Sequence, residues 1–226
     1  MKIIELEEVN STNEYCKREN FADDVIVIAK RQTAGRGTKG RSFVSDDGGL
    51  YLTVVRHYNH FPAERAFLIM INSCVAVCKT LESFSIKPQI RWANDVLVGG
   101  KKICGTLIEN TFKGNKIVRS IVGMGINVNN QIPDDLKEIA TSISQQGAKV
   151  SVDEVKNALL HNLQLDFSIA DYKKYINYFG STVLLKTEVG ERQVIALDIS
   201  DDGRLIVKEE DGTVNKISSA EVSLRL

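Results

Sequence analysis

Metal-binding clusters are the first thing this chain lacks. Its four cysteines, Cys16, Cys74, Cys78 and Cys104, form no C-x-x-C pair, and its three histidines supply no zinc-ligand spacing. The thiols therefore read as reduced and mostly buried. No apolar run approaches the roughly 20 residues that span a bilayer, and the amino terminus MKIIELEEVN is no signal peptide. The expectation is a cytoplasmic protein with no membrane partner. An excess of one charge is also missing: 29 Lys and Arg balance 29 Asp and Glu, so nothing pulls the whole molecule toward nucleic acid. Repeats and low-complexity linkers are absent. What remains, 226 residues of which 43% are hydrophobic, can bury one substantial core and a small satellite.

Familiar phosphate-binding motifs are missing too. Residues 31 to 41, RQTAGRGTKGR, lack the G-x-x-x-x-G-K-[ST] order, and no helix follows them as it would follow G-x-G-x-x-G. In isolation such a stretch is usually a solvated, flexible loop. Its glycines nevertheless let backbone amides point inward, while Arg36, Lys39 and Arg41 carry charge suited to phosphate or carboxylate oxygens. A second concentration of chemistry is RWANDVLVGGKKICGTLIE, residues 91 to 109. Here a strand carrying Trp92 ends in Asn94-Asp95, the chain turns at Gly99-Gly100, and a return strand begins at Lys101-Lys102. The Gly-Gly turn puts Asp95 and Lys102 across from each other or nearly so, at the lip of a sheet. Solvated hairpins show such pairs as well. Beside the cationic loop, the arrangement reads as an anion-binding flap over a charged strand end.

The remaining pattern is α+β. KIIELEEV is a first strand, and Ser11 with Glu14 three residues on has the spacing of a capping box. A long helix runs from about Glu64 to Phe84, its stripe of Phe67, Ile71, Cys74, Cys78 and Leu81 at core spacing. A hairpin turns near Gly114-Asn115, and a second helical region runs from VDEVKNALLHNLQLDF to about Tyr178. Hairpin following hairpin argues against a Rossmann alternation. Beyond Gly180 come four short β runs, with turns at Asp202-Gly203 and Asp211-Gly212. The expected organisation is a mixed or antiparallel sheet packed by helices over residues 1–180, and a small β-barrel over 181–226.

These motifs, in this order, closely resemble the biotin protein ligase family: Ser11-Thr12-Asn13, the Q-x-A-G-R-G-x-x-G-R loop from Gln32, RWAND, KICGTLIE, GMGINV at 123 to 128, ATSI at 140 to 143 and SSAEVSLR at 218 to 225. Arg91 replaces a lysine of the family pattern, Ala93 a proline, Thr38 a frequent arginine and Ala220 a usual glycine. The resemblance implies a catalytic domain like those of class II aminoacyl-tRNA synthetases and biotin synthetases, followed by an SH3-like barrel. It further implies a monofunctional form without the DNA-binding domain of the family's repressor members, hence no DNA partner, and a tendency to form a homodimer.

The implied chemistry is ATP-dependent. A carboxylate is a poor electrophile, so biotin attacks the α-phosphate of Mg-ATP to give biotinyl-5′-AMP, whose acyl group passes to one lysine of a biotin carboxyl carrier protein domain of a biotin-dependent carboxylase. Holding two anions together demands fixed positive charge. By resemblance Lys102 bridges carboxylate and α-phosphate, and Arg36 clamps phosphates with Lys39 and Arg41 behind it. Ser11, Thr12, Asn13, Gln32, Gly37, Thr38 and Gly105 form the biotin slot, with close backbone approach also near Gly123. Trp92, Asn94 and Asn127 attend the nucleotide. For Asp95 the roles open are Mg2+ contact, orientation of oxygens, activation of the incoming lysine, or a plain ion pair with Lys102. Ser11 is open between helix cap and ligand, Trp92 and Phe43 between ring stacking and core, and Asn127 between ligand contact and turn amide. Two alternatives stand beside this reading: lipoate or octanoyl transfer, whose histidine-rich loop and R-R-x-x-G-G-G signature are not seen around His57, His60 or His161, and a noncatalytic biotin-sensing adaptor, which would not need Arg36 and Lys102.

Overall fold

Apolar residues on both faces of one strand set the layering. In the computed structural model, which describes residues 1–187, 190–218 and 223–225, the run VIVIA begins β2 (Val25–Gln32). Val25 and Val27 pack with Cys16, Val55 and Ile121 into a small core, while Ile26 and Ile28 join the large one on the other side. A strand buried on both faces reads as a continuous apolar run rather than an alternation.

Around β2 lie β1 (Lys2–Val9), β3 (Leu50–Pro62), β4 (Gln89–Arg91), β5 (Asp95–Val98), β6 (Lys101–Lys113) and β7 (Lys116–Ile126), in the order β1-β2-β3-β7-β6-β5-β4. Only the β1–β2 pair is parallel, so the sheet is mixed. Helix α1 (Thr12–Glu19), the crossover of that pair, covers the small core. The opposite face is closed by α2 (Phe67–Ser83), α3 (Val152–Asn162) and α4 (Ile169–Lys173). With the turn before it, α2 makes a helical stretch, Ala63–Ser83, long and apolar enough to cross a membrane, contrary to the sequence expectation. Here it is the core helix: Ile71, Cys74, Val75, Val77, Cys78 and Leu81 have no solvent exposure. Fully burying an Ile or Leu stabilises by about 1.5–3 kcal/mol.

Three local expectations change. The capping box at Ser11 does not form; Ser11 sits at the N-cap in extended backbone, but its side chain caps nothing and Glu14 turns to other partners. The second helical region breaks after Asn162, and α4 restarts at Ser168, whose capping box with Asp171 repeats that of Ser151 with Glu154 at α3. Trp92 lies in the turn between β4 and β5, not on a strand.

From Thr182 onward the chain forms a second, antiparallel sheet of β8 (Thr182–Thr187), β9 (Gly190–Ile199), β10 (Leu205–Lys208), β11 (Val214–Ile217) and β12 (Ser223–Arg225), ordered β11-β10-β9-β8-β12. Gly203 and Gly212 take positive φ at the two anticipated turns. Among the described residues no pairing joins edge strands β11 and β12 of this small C-terminal sheet; residues 219 to 222 of the SSAEVSLR motif lie outside the described residues. Among the described residues this sheet shows no separate core. Val183, Leu185, Ala196, Leu205 and Val207 belong to the same apolar cluster as α2. The Lys173–Asp198 ion pair, at 2.7 Å, and the Trp92 indole N–H donated to the Gly203 carbonyl, at 2.9 Å, tie the two sheets together.

Candidate active site

The pairing of Asp95 with Lys102 does not come from hairpin register alone. Asp95 lies opposite Gly105, and Lys102 opposite Leu97, because the register slips by one residue between Val96 and Leu97. Ile103 is the extra residue. Such a bulge re-aims the side chains on one side of it, and it turns Lys102 to the face that carries Asp95 and Gly105. Gly105 completes the arrangement: a Cβ there would stand 2.8 Å from Lys102 Nζ and 2.9 Å from its Cε. The lysine thus lies across the bare backbone of Gly105, its Nζ 2.6 Å from Asp95 Oδ1.

Both oxygens of Asp95 are engaged. Oδ2 accepts from Arg91 at 2.7 Å, while the contact of Oδ1 with Lys102 is a short ion pair without an aligned hydrogen bond. Burial pushes the Asp95 carboxyl up, but Lys102 and Arg91 outweigh it and hold the group below its ordinary range. Asp95 is thus the single carboxylate between two cations, and removing it would leave both of them unpaired in a half-buried position. The bulge is itself pinned. Lys102 N–H donates to Ile139 O at 2.8 Å, Thr141 N–H to Lys102 O at 2.9 Å, and Asn127 N–H to Ile103 O at 2.9 Å. This is what the ATSI and GINV motifs do here.

Beside the charged cluster lies a polar wall. Gln32 Oε1 accepts from Thr12 N–H at 2.8 Å, and its amide Nε2 donates to Ser45 Oγ at 2.8 Å, joining the start of α1 to the base of the glycine-rich loop. The Thr53 hydroxyl lies 2.7 Å from Asn13 Oδ1, and Asn13 donates to Glu109 Oε2 at 2.9 Å. Asn13 fits because Gly123 beneath it has no side chain. The Phe43 ring likewise lies on the bare backbone of Gly125, with Lys102 Nζ 5.7 Å from its centroid. Glycines 105, 123 and 125 thus make room for the protein's own side chains, and Gly105 and Gly123, where close approach of a ligand was expected, both line the cleft.

One cleft gathers most of the anticipated residues: Ser11, Thr12, Asn13 and Gln32 on one wall, Arg36, Gly37, Thr38 and Phe43 from the loop, and Asn94, Lys102 and Gly105 from the β5–β6 side. Asn94 donates its amide to Thr106 O at 2.9 Å. The free interior is only about 40 Å³, room for roughly three waters.

Other expected residues lie elsewhere. Trp92 is buried and donates to Gly203, so its ring is core and lies outside the lining of this cleft. Asn127 is a turn amide, donating to Thr141 O at 3.0 Å and accepting from Asn130. Lys39 and Arg41 are exposed on the loop, outside the cleft. Asp95 pairs with Arg91 through Oδ2 and with Lys102 through Oδ1, and among the described residues no three His, Cys, Asp or Glu side chains gather into a metal site. Sequence reasoning missed Thr53, Lys17 and Glu109; the last closes the KICGTLIE motif and shares a face with Gly105 by strand alternation.

A model of the biotin/lipoate A/B protein ligase family matches residues 6–127, more than half of the chain. The chain belongs to that family. The biotin protein ligase C terminal domain matches residues 178–225. Over 226 aligned residues the chain is 30% identical to the bifunctional ligase/repressor BirA of Bacillus spizizenii, covering 91% of this chain and 67% of that protein. It is 29% identical to the biotin–[acetyl-CoA-carboxylase] ligase of Mycobacterium tuberculosis, covering 90% and 80%. The biotin protein ligase of Aquifex aeolicus, solved in complex with biotin and ATP, superposes with a TM-score of 0.81 at 29% identity, covering 99% of this chain and 98% of that one.

Proposed function

We propose that this protein is an ATP-dependent biotin protein ligase, which makes biotinyl-5′-AMP and transfers the biotinyl group to a lysine of a biotin carboxyl carrier domain. The observation that carries the reading is the fixed Arg91–Asp95–Lys102 cluster beside a slot of neutral polar groups. A biotin carboxylate oxygen attacks the α-phosphorus and pyrophosphate leaves. Two anions meet in that step, and a cation held in place beforehand stabilises the added charge without reorganisation. Lys102 has that position, with Asp95 and Arg91 orienting it. Arg36 clamps the phosphates from the loop, and Asn94 orients oxygens. In transfer, the carrier amine attacks the acyl carbonyl and AMP leaves. Exclusion of water by the loop protects the adenylate from hydrolysis.

Ser11, Thr12, Asn13 and Gln32 match the ureido group of biotin in kind, being uncharged hydrogen-bonding groups. Magnesium enters with the phosphates of ATP rather than in a cage of side chains, in keeping with the lack of a three-ligand cluster among the described residues. Residues 1–180 and 181–226 are assigned as catalytic and C-terminal units of a cytosolic protein, where four buried thiols remain reduced.

Mass spectrometry of a biotin carboxyl carrier domain, incubated with the protein, Mg-ATP and either biotin or lipoate, tests the reading. A mass gain of one biotinyl group is expected. A gain only with lipoate moves the protein to the other branch of its family, and no gain with either contradicts the assignment.

A further inference from the structure

Arg36, the loop cation that lines the cleft, is already occupied: its guanidinium pairs with Glu14 on the first turn of α1. Glu14 Oε1 also holds Lys17 at 2.9 Å, Lys17 reaches Glu109 at 2.6 Å, and the other oxygen of Glu109 takes the Asn13 amide. Two cations and two carboxylates thus form a neutral chain from the polar slot to the loop. The hydrogen bond from Lys17 lowers the Glu14 carboxyl most, burial opposes it, and Arg36 lowers it further, so Glu14 is an anion at neutral pH. If Arg36 leaves, Glu14 keeps Lys17. The pair can therefore open without stranding a charge.

One guanidinium cannot serve Glu14 and a bound phosphate chain in full at once, and a phosphate chain is its stronger partner. We propose that Glu14 competes with the phosphates of ATP for Arg36, parking the loop arginine on α1 until nucleotide takes it and so weakening nucleotide affinity. This rests on ATP being the substrate. Arg36 and Glu14 are 52% and 31% exposed, and an exposed pair of this kind shifts an equilibrium by about two- to fivefold.

The test uses the full chain as native protein, Glu14→Gln, Glu14→Ala, Arg36→Ala and the Glu14→Gln/Arg36→Ala double variant, each checked by thermal melting. Calorimetry gives Kd for Mg-ATP, and biotin-dependent ATP–pyrophosphate exchange gives KM and kcat. Both Glu14 variants are expected to lower Kd and KM about two- to fivefold with kcat unchanged. The gain should fade at high salt and vanish without Arg36. An unchanged or raised Kd in the Glu14 variants overturns the competition, as does an equal gain in the Arg36→Ala background. A lowered Kd in the Glu14 variants, with no exchange catalysed by the native protein, supports the competition while refuting the assigned reaction.

Discussion

Lys102 and Arg36 are cations at opposite walls of one cleft, and they are held in opposite ways. Lys102 is fixed at its backbone by Ile139 and Thr141, along its stem by the bare face of Gly105, and at its tip by Asp95. Arg36 rides on a loop that bonds chiefly to itself, with Gly37 N–H donating to Arg41 O and Phe43 N–H to Gly35 O, and its side chain meets Glu14. The difference follows from what each must do. A charge that stabilises a developing anion is worth most when it does not move. A charge that admits and then covers a ligand has to give way, and a 40 Å³ interior leaves it no choice.

The largest expected effect removes the support behind the fixed wall. A chain ended at Gly180 loses the cover of Trp92 and part of the shared core. The sequence alone suggests that such a chain still activates biotin and mainly fails in transfer. The continuous core predicts loss of folded structure by circular dichroism, and with it both activities. A folded, biotin-activating truncation would mean that the second sheet is only a docking module.

Next comes Gly105→Ala. Its Cβ meets Lys102 at the Nζ and Cε positions, so the lysine must shift while the rest of the strand remains. A displacement of about 1 Å can cost 10²-fold in rate, and kcat for biotin-dependent pyrophosphate exchange should fall by about 10–100-fold with little change in melting temperature. Native kcat in that variant would show that the lysine need not lie across Gly105.

The smallest effect concerns the moving wall. Trypsin should cut at Arg36, Lys39 and Arg41 several-fold more slowly with biotin and Mg-ATP than without, because ligand orders the loop. Equal cleavage in both conditions would remove the distinction between the walls.

Much of this contrast can be read from the residues. Val25 to Ala29, the stripe of α2 and the Gly-Gly and Asp-Gly turns announce their elements because burial and turn chemistry are local. Most of the cleft residues follow from motif resemblance. The bulge at Ile103 could not be read: both of its neighbours, Lys102 and Cys104, suit either face, and the bonds that pin the slip come from Ile139, Thr141 and Asn127, far along the chain. Trp92 misleads for a similar reason. An indole between a strand and a polar pair looks available to a ligand until Gly203, 111 residues later, accepts its N–H.

The central claim is that the fixed Lys102 charge drives attack of biotin on ATP. Biotin-dependent ATP–pyrophosphate exchange, compared between the native chain and Lys102→Ala with melting curves for both, tests it most directly. The account predicts exchange in the native protein and a loss of at least about 10²-fold in the variant, which remains folded. Near-native exchange in Lys102→Ala, or no exchange in the native chain, would contradict it.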